Sequence, residues 1–196
     1  MKISFEPLAA SISPQGYKIL TGVATIPLIV LAEVNTHRSE SRNWTSLRAL
    51  PTKEAIKMMG FQPLHLGKAQ KGMQAQEEEL ADSAMEEALA IWAANAARAQ
   101  QDSERLAKLG LAKQIANRLL VSHLWCRGVM TSTSQEPGGW PFANLLHLRA
   151  KSSKVEPHAH EFSWAIADAI NKIDEEFEDY RRPDHLPDGM YWNEMS

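Results

Sequence analysis

From Glu77 to Lys108 the chain runs without a single proline or glycine and is dominated by alanine and glutamate. Such a run predicts one long helix. Its apolar positions Leu80, Ala84, Ala88 and Ile91 step by four, four and three, the spacing of one buried stripe. Gly110 breaks the run, and helical spacing resumes from Leu111 to Leu120. A last amphipathic helix is predicted from about His160 to Tyr180. Phe162, Ile166, Ile170, Ile173 and Phe177 share one of its faces, while Asp174, Glu175, Glu176, Glu178 and Asp179 form a solvated acidic run. Thr52 to Met59 is a shorter helix candidate ended by Gly60. The first 35 residues instead read as strands. Ile3 and Phe5 alternate with polar neighbours, Ser13-Pro14-Gln15-Gly16 is a turn signal, and Tyr17 to Ala32 is rich in β-branched residues. Leu28-Ile29-Val30-Leu31, too short for a helix by itself, reads as a buried strand.

The length of 196 residues suits one domain, with a surface tail from Arg182 to Ser196. A net charge of -3 and the lack of a basic stripe argue against a nucleic-acid-binding module. The single cysteine, Cys126, excludes an internal disulfide and every multi-cysteine zinc arrangement. No stretch reaches the roughly 18 apolar residues of a membrane span, and the N-terminus lacks a signal-peptide core. The default address is the cytoplasm, that of the host if the chain is phage-encoded.

Chemistry concentrates in Asn35-Thr36-His37-Arg38-Ser39-Glu40-Ser41-Arg42-Asn43-Trp44-Thr45-Ser46-Leu47-Arg48, just past the buried run. Three arginines lie there among amides and hydroxyls, the inventory of an anion or nucleotide cradle. Composition alone equally allows an exposed polar loop. The order of residues narrows the choice. His37-Arg38, seven residues, then Ser46 resembles the Arg-His-Arg-(seven residues)-Ser signature of the flavin-dependent thymidylate synthases, and Ser41, Asn43 and Arg48 match further recurring positions. Asn-Thr-His-Arg with Arg48-Ala49-Leu50-Pro51 is similar to the phage and bacterial branch, as are Ile12 to Gly16 and Gly67 to Ala75. A second patch, Asn144-Leu145-Leu146-His147-Leu148-Arg149, is similar to a segment that supplies that family with a flavin-contacting asparagine and a pyrimidine-contacting arginine.

With this resemblance the expected fold class is α/β of the α+β kind: a mainly antiparallel central sheet flanked by long helices, in one domain that oligomerises. It implies a homotetramer with active sites at subunit interfaces, binding FAD and a pyrimidine deoxynucleotide, with methylenetetrahydrofolate and NADPH as co-substrates. The expected reaction is conversion of dUMP to dTMP, without a cysteine nucleophile. The implied flavin contacts are Thr36, His37, Arg38, Ser41, Asn43 and Asn144; the implied nucleotide contacts are Glu33, Trp44, Ser46, Leu47 through its backbone, Arg48, Arg127 and Arg149. Arg149, with Ser46, is placed at the reacting base. Two positions depart from the family pattern: Thr36 stands where the first motif arginine belongs, and Trp44 where many relatives carry glutamate. Trp44 could stack on the base or the flavin, or narrow the pocket. These departures motivate rivals: another base such as dCMP, a hydroxymethylated product, or a nucleotide-binding protein without catalysis.

Other candidates are weaker. His158-Ala159-His160-Glu161 has poor spacing for a metal, so none is expected; His158 or Ser153 borders the flavin or simply starts the last helix. Gly67-Lys68 lacks the spacing of a phosphate-binding P-loop, and no Gly-x-Gly-x-x-Gly fingerprint occurs. Trp92 and Trp164 are expected in the core. Pro137-Gly138-Gly139 marks a loop between Ser132 and Pro141.

Overall fold

A computed structural model describes residues 1–69, 78–151 and 155–174. Four strands form one sheet: β1 (Ser4–Ile12), β2 (Lys18–Pro27), β3 (Ser41–Trp44) and β4 (Trp125–Thr133), in the order β1-β2-β4-β3 with every pair antiparallel. The expected α+β class with an antiparallel sheet is therefore observed. The predicted turn between β1 and β2 closes at Gly16, whose φ of 87° suits glycine. An irregularity between Pro7 and Ala9 inserts Leu8 as an extra residue. That insertion flips the parity of β1, so Phe5 before it and Ala10 and Ile12 after it all pack on the core.

The helices are α1 (Leu31–Val34), α2 (Thr52–Lys57), α3 (Asp82–Lys108), α4 (Lys113–Ala116), α5 (Ala143–Arg149) and α6 (Pro157–Asp174). The inner sheet face, with Leu20, Ala24, Ile26 and Met130, packs in one cluster with α6 residues Phe162, Ile166, Ile170 and Ile173. The predicted stripe of α6 is thus buried as far as the described residues extend; Phe177, the rest of the acidic run, the tail and Gln70 to Gln74 lie outside them. A second small core of Ala55, Leu120 and Leu124 sits under α2.

Four expectations fail. Leu28 to Leu31 is not a strand but a 3-10 turn running into α1. Pro27 is the last rung of the β2–β4 ladder, opposite Trp125, and Leu28 N–H turns to the carbonyl of Leu124. The long helix starts at Asp82 rather than Glu77, because Glu78 to Leu80 hydrogen-bond back to Leu66 and Lys68 as an antiparallel rung. Its inward face also differs: Met85, Ala88, Trp92, Ala96, Ala99 and Ser103 turn inward, while Ile91 is 64% exposed. Trp92 sets that register by donating its indole N–H to the Phe61 carbonyl at 2.9 Å. Trp92 is packed against the core as expected, whereas Trp164 is 50% exposed and is not a core residue.

Candidate active site

The polar run after β2 is not a free loop. Arg42 turns its guanidinium back on the chain and donates to the carbonyls of His37, Glu40 (3.1 Å) and Asn35 (2.7 Å). One of the three arginines in the presumed anion cradle is therefore a backbone clamp, whose fork geometry suits several carbonyls at once. Held by it, Thr36 and His37 meet Arg149, which lies 112 residues away at the end of α5. Arg149 Nε–H donates to His37 Nε2 at 3.1 Å, and Nη2–H donates to the Thr36 hydroxyl at 3.4 Å. The Thr36 hydroxyl in turn donates to the Glu33 carbonyl at 2.6 Å.

His37 is 3% exposed, and burial pushes its pKa below the usual histidine value. The Glu40 carboxylate opposes that shift, while Arg149 and Arg42 add to it. A neutral ring is what the geometry requires, since Nε2 accepts from Arg149. Linkage fixes the sign of the effect on stability. The folded pKa lies below the unfolded value, so the stabilisation present above about pH 6.5 is lost as pH falls through the folded value. His123, also buried, shifts the same way from burial alone. Denaturant midpoints measured down to pH 5 should fall less steeply for His37→Gln than for the wild type; identical slopes would show that His37 is protonated without penalty.

Arg149 is half-buried and, among the described residues, has no carboxylate partner. Beside it lies a narrow apolar recess, too tight for a water molecule, lined by Val34, His37, Leu145, Ala159 and Phe162. The guanidinium, with Nη1 unengaged among the described residues, can donate to a ligand that offers acceptors at its edge. Two carboxylate oxygens nearby in sequence, Glu33 Oε2 and Glu40 Oε2, are buried without partners; Glu40 Oε1 accepts from Ser39 at 2.9 Å.

The remaining expected contacts are spread more widely. Arg38, Ser41, Asn43 and Asn144 are exposed, and their side chains make no hydrogen bonds among the described residues. Asn144 and Arg149 are five apart on one helix, which places them about 140° apart around its axis; Arg149 turns inward and Asn144 outward. Ser46, Leu47 and Arg48 sit beyond the other end of β3, separated from His37 by about 13 Å of strand. There Ser46 Oγ accepts from the Arg48 N–H at 3.3 Å, and buried Asn117 donates to the Leu47 and Leu50 carbonyls. Arg127 is exposed and only 3.9 Å from Glu6, a contact worth little in water. No hydrogen bond or ion pair joins the two groups among the described residues.

Trp44 does not stand open as a stacking platform. Its ring lies over Gly128 and packs against the main core. Cys126 is buried, and burial pushes its thiol up to about 11, so it is no nucleophile. His158 starts α6 rather than facing a ligand. Its Nε2 accepts from Leu64 N–H at 3.0 Å and Nδ1 pairs with Glu156 at 2.5 Å. Burial pushes the Glu156 carboxyl up, but hydrogen bonds from His158 and Ala159 outweigh it, so its pKa is lowered overall. Ser153 lies outside the described residues. Sequence reasoning missed Arg42 and Asn117 as braces; nothing in residue type separates an arginine that binds a ligand from one that binds its own carbonyls.

The sheet and its helices form a fold that has counterparts among solved structures. Among solved structures, the chain is similar to a UMP/dUMP methylase, PolB from Streptomyces cacaoi. Against the form bound with 5-Br UMP the TM-score is 0.62 at 15% identity, covering 87% of this chain and 89% of that one. Against the form bound with 5-Br dUMP it is 0.60 at 17% identity, covering 86% and 75%. No protein-family profile and no curated protein sequence matches the chain. Among the described residues, no helix is long and apolar enough to cross a membrane.

Proposed function

We propose that this chain methylates a uridine nucleotide at C5, with dUMP to dTMP as the principal reaction, methylenetetrahydrofolate as carbon donor and NADPH as reductant. The observation that carries the proposal is Arg149, a guanidinium held by His37 and Thr36 and lacking a counter-ion among the described residues. Support comes from the motif order His37-Arg38-(seven residues)-Ser46 and from a fold shared with a UMP/dUMP methylase. Arg149 would face the O2 and N3 edge of the pyrimidine, stabilise negative charge there and raise electron density at C5. Ser46, the Leu47 backbone, Arg48 and Arg127 would hold the sugar and phosphate, with Glu33 nearby.

FAD is the proposed cofactor, and it would supply the hydride. The residues present fit it at Arg38, Ser41, Asn43 and Asn144, whose polar groups are exposed and unengaged among the described residues. His37 and Thr36 are engaged with Arg149 and would act by orienting it rather than by touching the flavin. The two ends of β3 lie apart in one chain, which suits a site completed by a second subunit of a homotetramer.

Turnover with dUMP, UMP and dCMP, read by product mass, tests the proposal in purified protein supplied with FAD, methylenetetrahydrofolate and NADPH. A methylated uridine nucleotide is expected. A methylated or hydroxymethylated cytidine nucleotide would overturn the base assignment, and nucleotide binding by a colourless protein that cannot be loaded with FAD would favour a non-catalytic binder.

A further inference from the structure

Trp164 is half-exposed, yet its indole N–H is engaged: it donates to His160 Nε2 at 3.2 Å, one helical turn earlier on α6. The two rings meet edge to face, 6.3 Å between centroids. On its other nitrogen, His160 Nδ1 lies 2.7 Å from the backbone carbonyl of Arg149. That carbonyl closes α5, where the last C=O groups have no intrahelical donor.

The two bonds demand the same proton placement. An indole N–H only donates, so His160 Nε2 must be unprotonated; a carbonyl only accepts, so Nδ1 must carry the proton. Trp164 therefore selects the tautomer that can hold Arg149. The residue stays half exposed to water, so burial alone gives a weak reason for a tryptophan here.

We infer that Trp164 and His160 are positioning residues for Arg149: Trp164 fixes the His160 tautomer, and His160 fixes the end of α5 from which the guanidinium reaches His37 and Thr36. This rests on the proposed role of Arg149 in turnover. The chain of contacts runs unbroken from a surface indole to the recess: Trp164, His160, the Arg149 backbone, the Arg149 side chain, then His37.

The test uses Trp164→Phe, which keeps an aromatic ring and removes only the N–H. Its kcat should fall about tenfold, below the roughly hundredfold that a misplacement of about 1 Å can cost, with the nucleotide KM and the melting temperature unchanged. His160→Leu should lose about a hundredfold. His160→Asn, which retains a donor near the Nδ1 position, should recover most of that loss. Nitrogen NMR of the wild type should show the Nδ1–H tautomer of His160, and Trp164→Phe should mix the tautomers and shift the Arg149 Nε–H resonance. An Nε2–H tautomer in the wild type, or Trp164→Phe with unchanged tautomer and kcat, would overturn the inference. If no nucleotide is turned over, the functional proposal fails, while the tautomer and the Arg149 resonance still decide this one.

Discussion

Arg149→Ala should lose a factor of about 100 to 1,000 in kcat, about 3 to 4 kcal/mol of transition-state stabilisation, while the protein stays folded and keeps its flavin. The expectation follows from what the side chain touches. Its Nε and Nη2 are fixed by His37 and Thr36, and no carboxylate neutralises it among the described residues. Pre-organisation of this kind stabilises developing charge without reorganisation at the moment of reaction. Arg149→Lys should fare little better, because one ammonium cannot reproduce the fork that engages both neighbours and still presents a donor outward. Single-turnover product formation, with flavin content measured alongside, is the check. A wild-type rate in Arg149→Ala would remove the arginine from the mechanism and the functional proposal with it.

Gly128→Ala should cost about 2 to 3 kcal/mol of stability, roughly 4 to 12 °C in melting temperature for a chain of this size. A Cβ at this position would lie 2.4 Å from Trp44 Cε3 and 2.8 Å from the Asn43 carbonyl oxygen. The indole is a side chain and can swing; the carbonyl belongs to β3 and cannot move without the strand. In a double-mutant cycle with Trp44→Ala, the coupling between the two sites should therefore cancel only part of the Gly128→Ala loss. Since β3 separates Thr36 and His37 from Ser46 and Arg48, moving it should also disturb both ends of the site. Thermal unfolding of the single and double variants decides the point: unchanged melting of Gly128→Ala would mean that the strand edge yields freely.

The residues explain which parts of this fold were legible in sequence. The stripe of Phe162, Ile166, Ile170 and Ile173 could be read because a helix packed on one sheet face needs a repeat that no other structure shares. The run Leu28 to Leu31 could not, because four adjacent apolar residues carry no period, and Pro27 decided that the ladder stopped there. The register of α3 failed because Ile91 and Trp92 are neighbours of similar hydrophobicity. Only the long-range bond from Trp92 to the Phe61 carbonyl says which one turns inward. Resemblance alone brings Arg149 to the polar run 112 residues away, and its direct bond to His37 has no mark in the sequence. His160 reads in sequence as a helix start or a poor metal ligand, since its two partners, an indole and a carbonyl, leave no mark there.

Phe142 has a φ of 60°, a left-handed conformation that costs a bulky residue about 1 to 2 kcal/mol. Its ring is buried edge-on against Phe5, and its N–H donates to Ser132 Oγ at 2.9 Å. Together these anchors set the direction in which the chain leaves for α5. The exposed stretch from Gln135 to Gly138 can thus change in length or composition without altering the approach of the guanidinium further on.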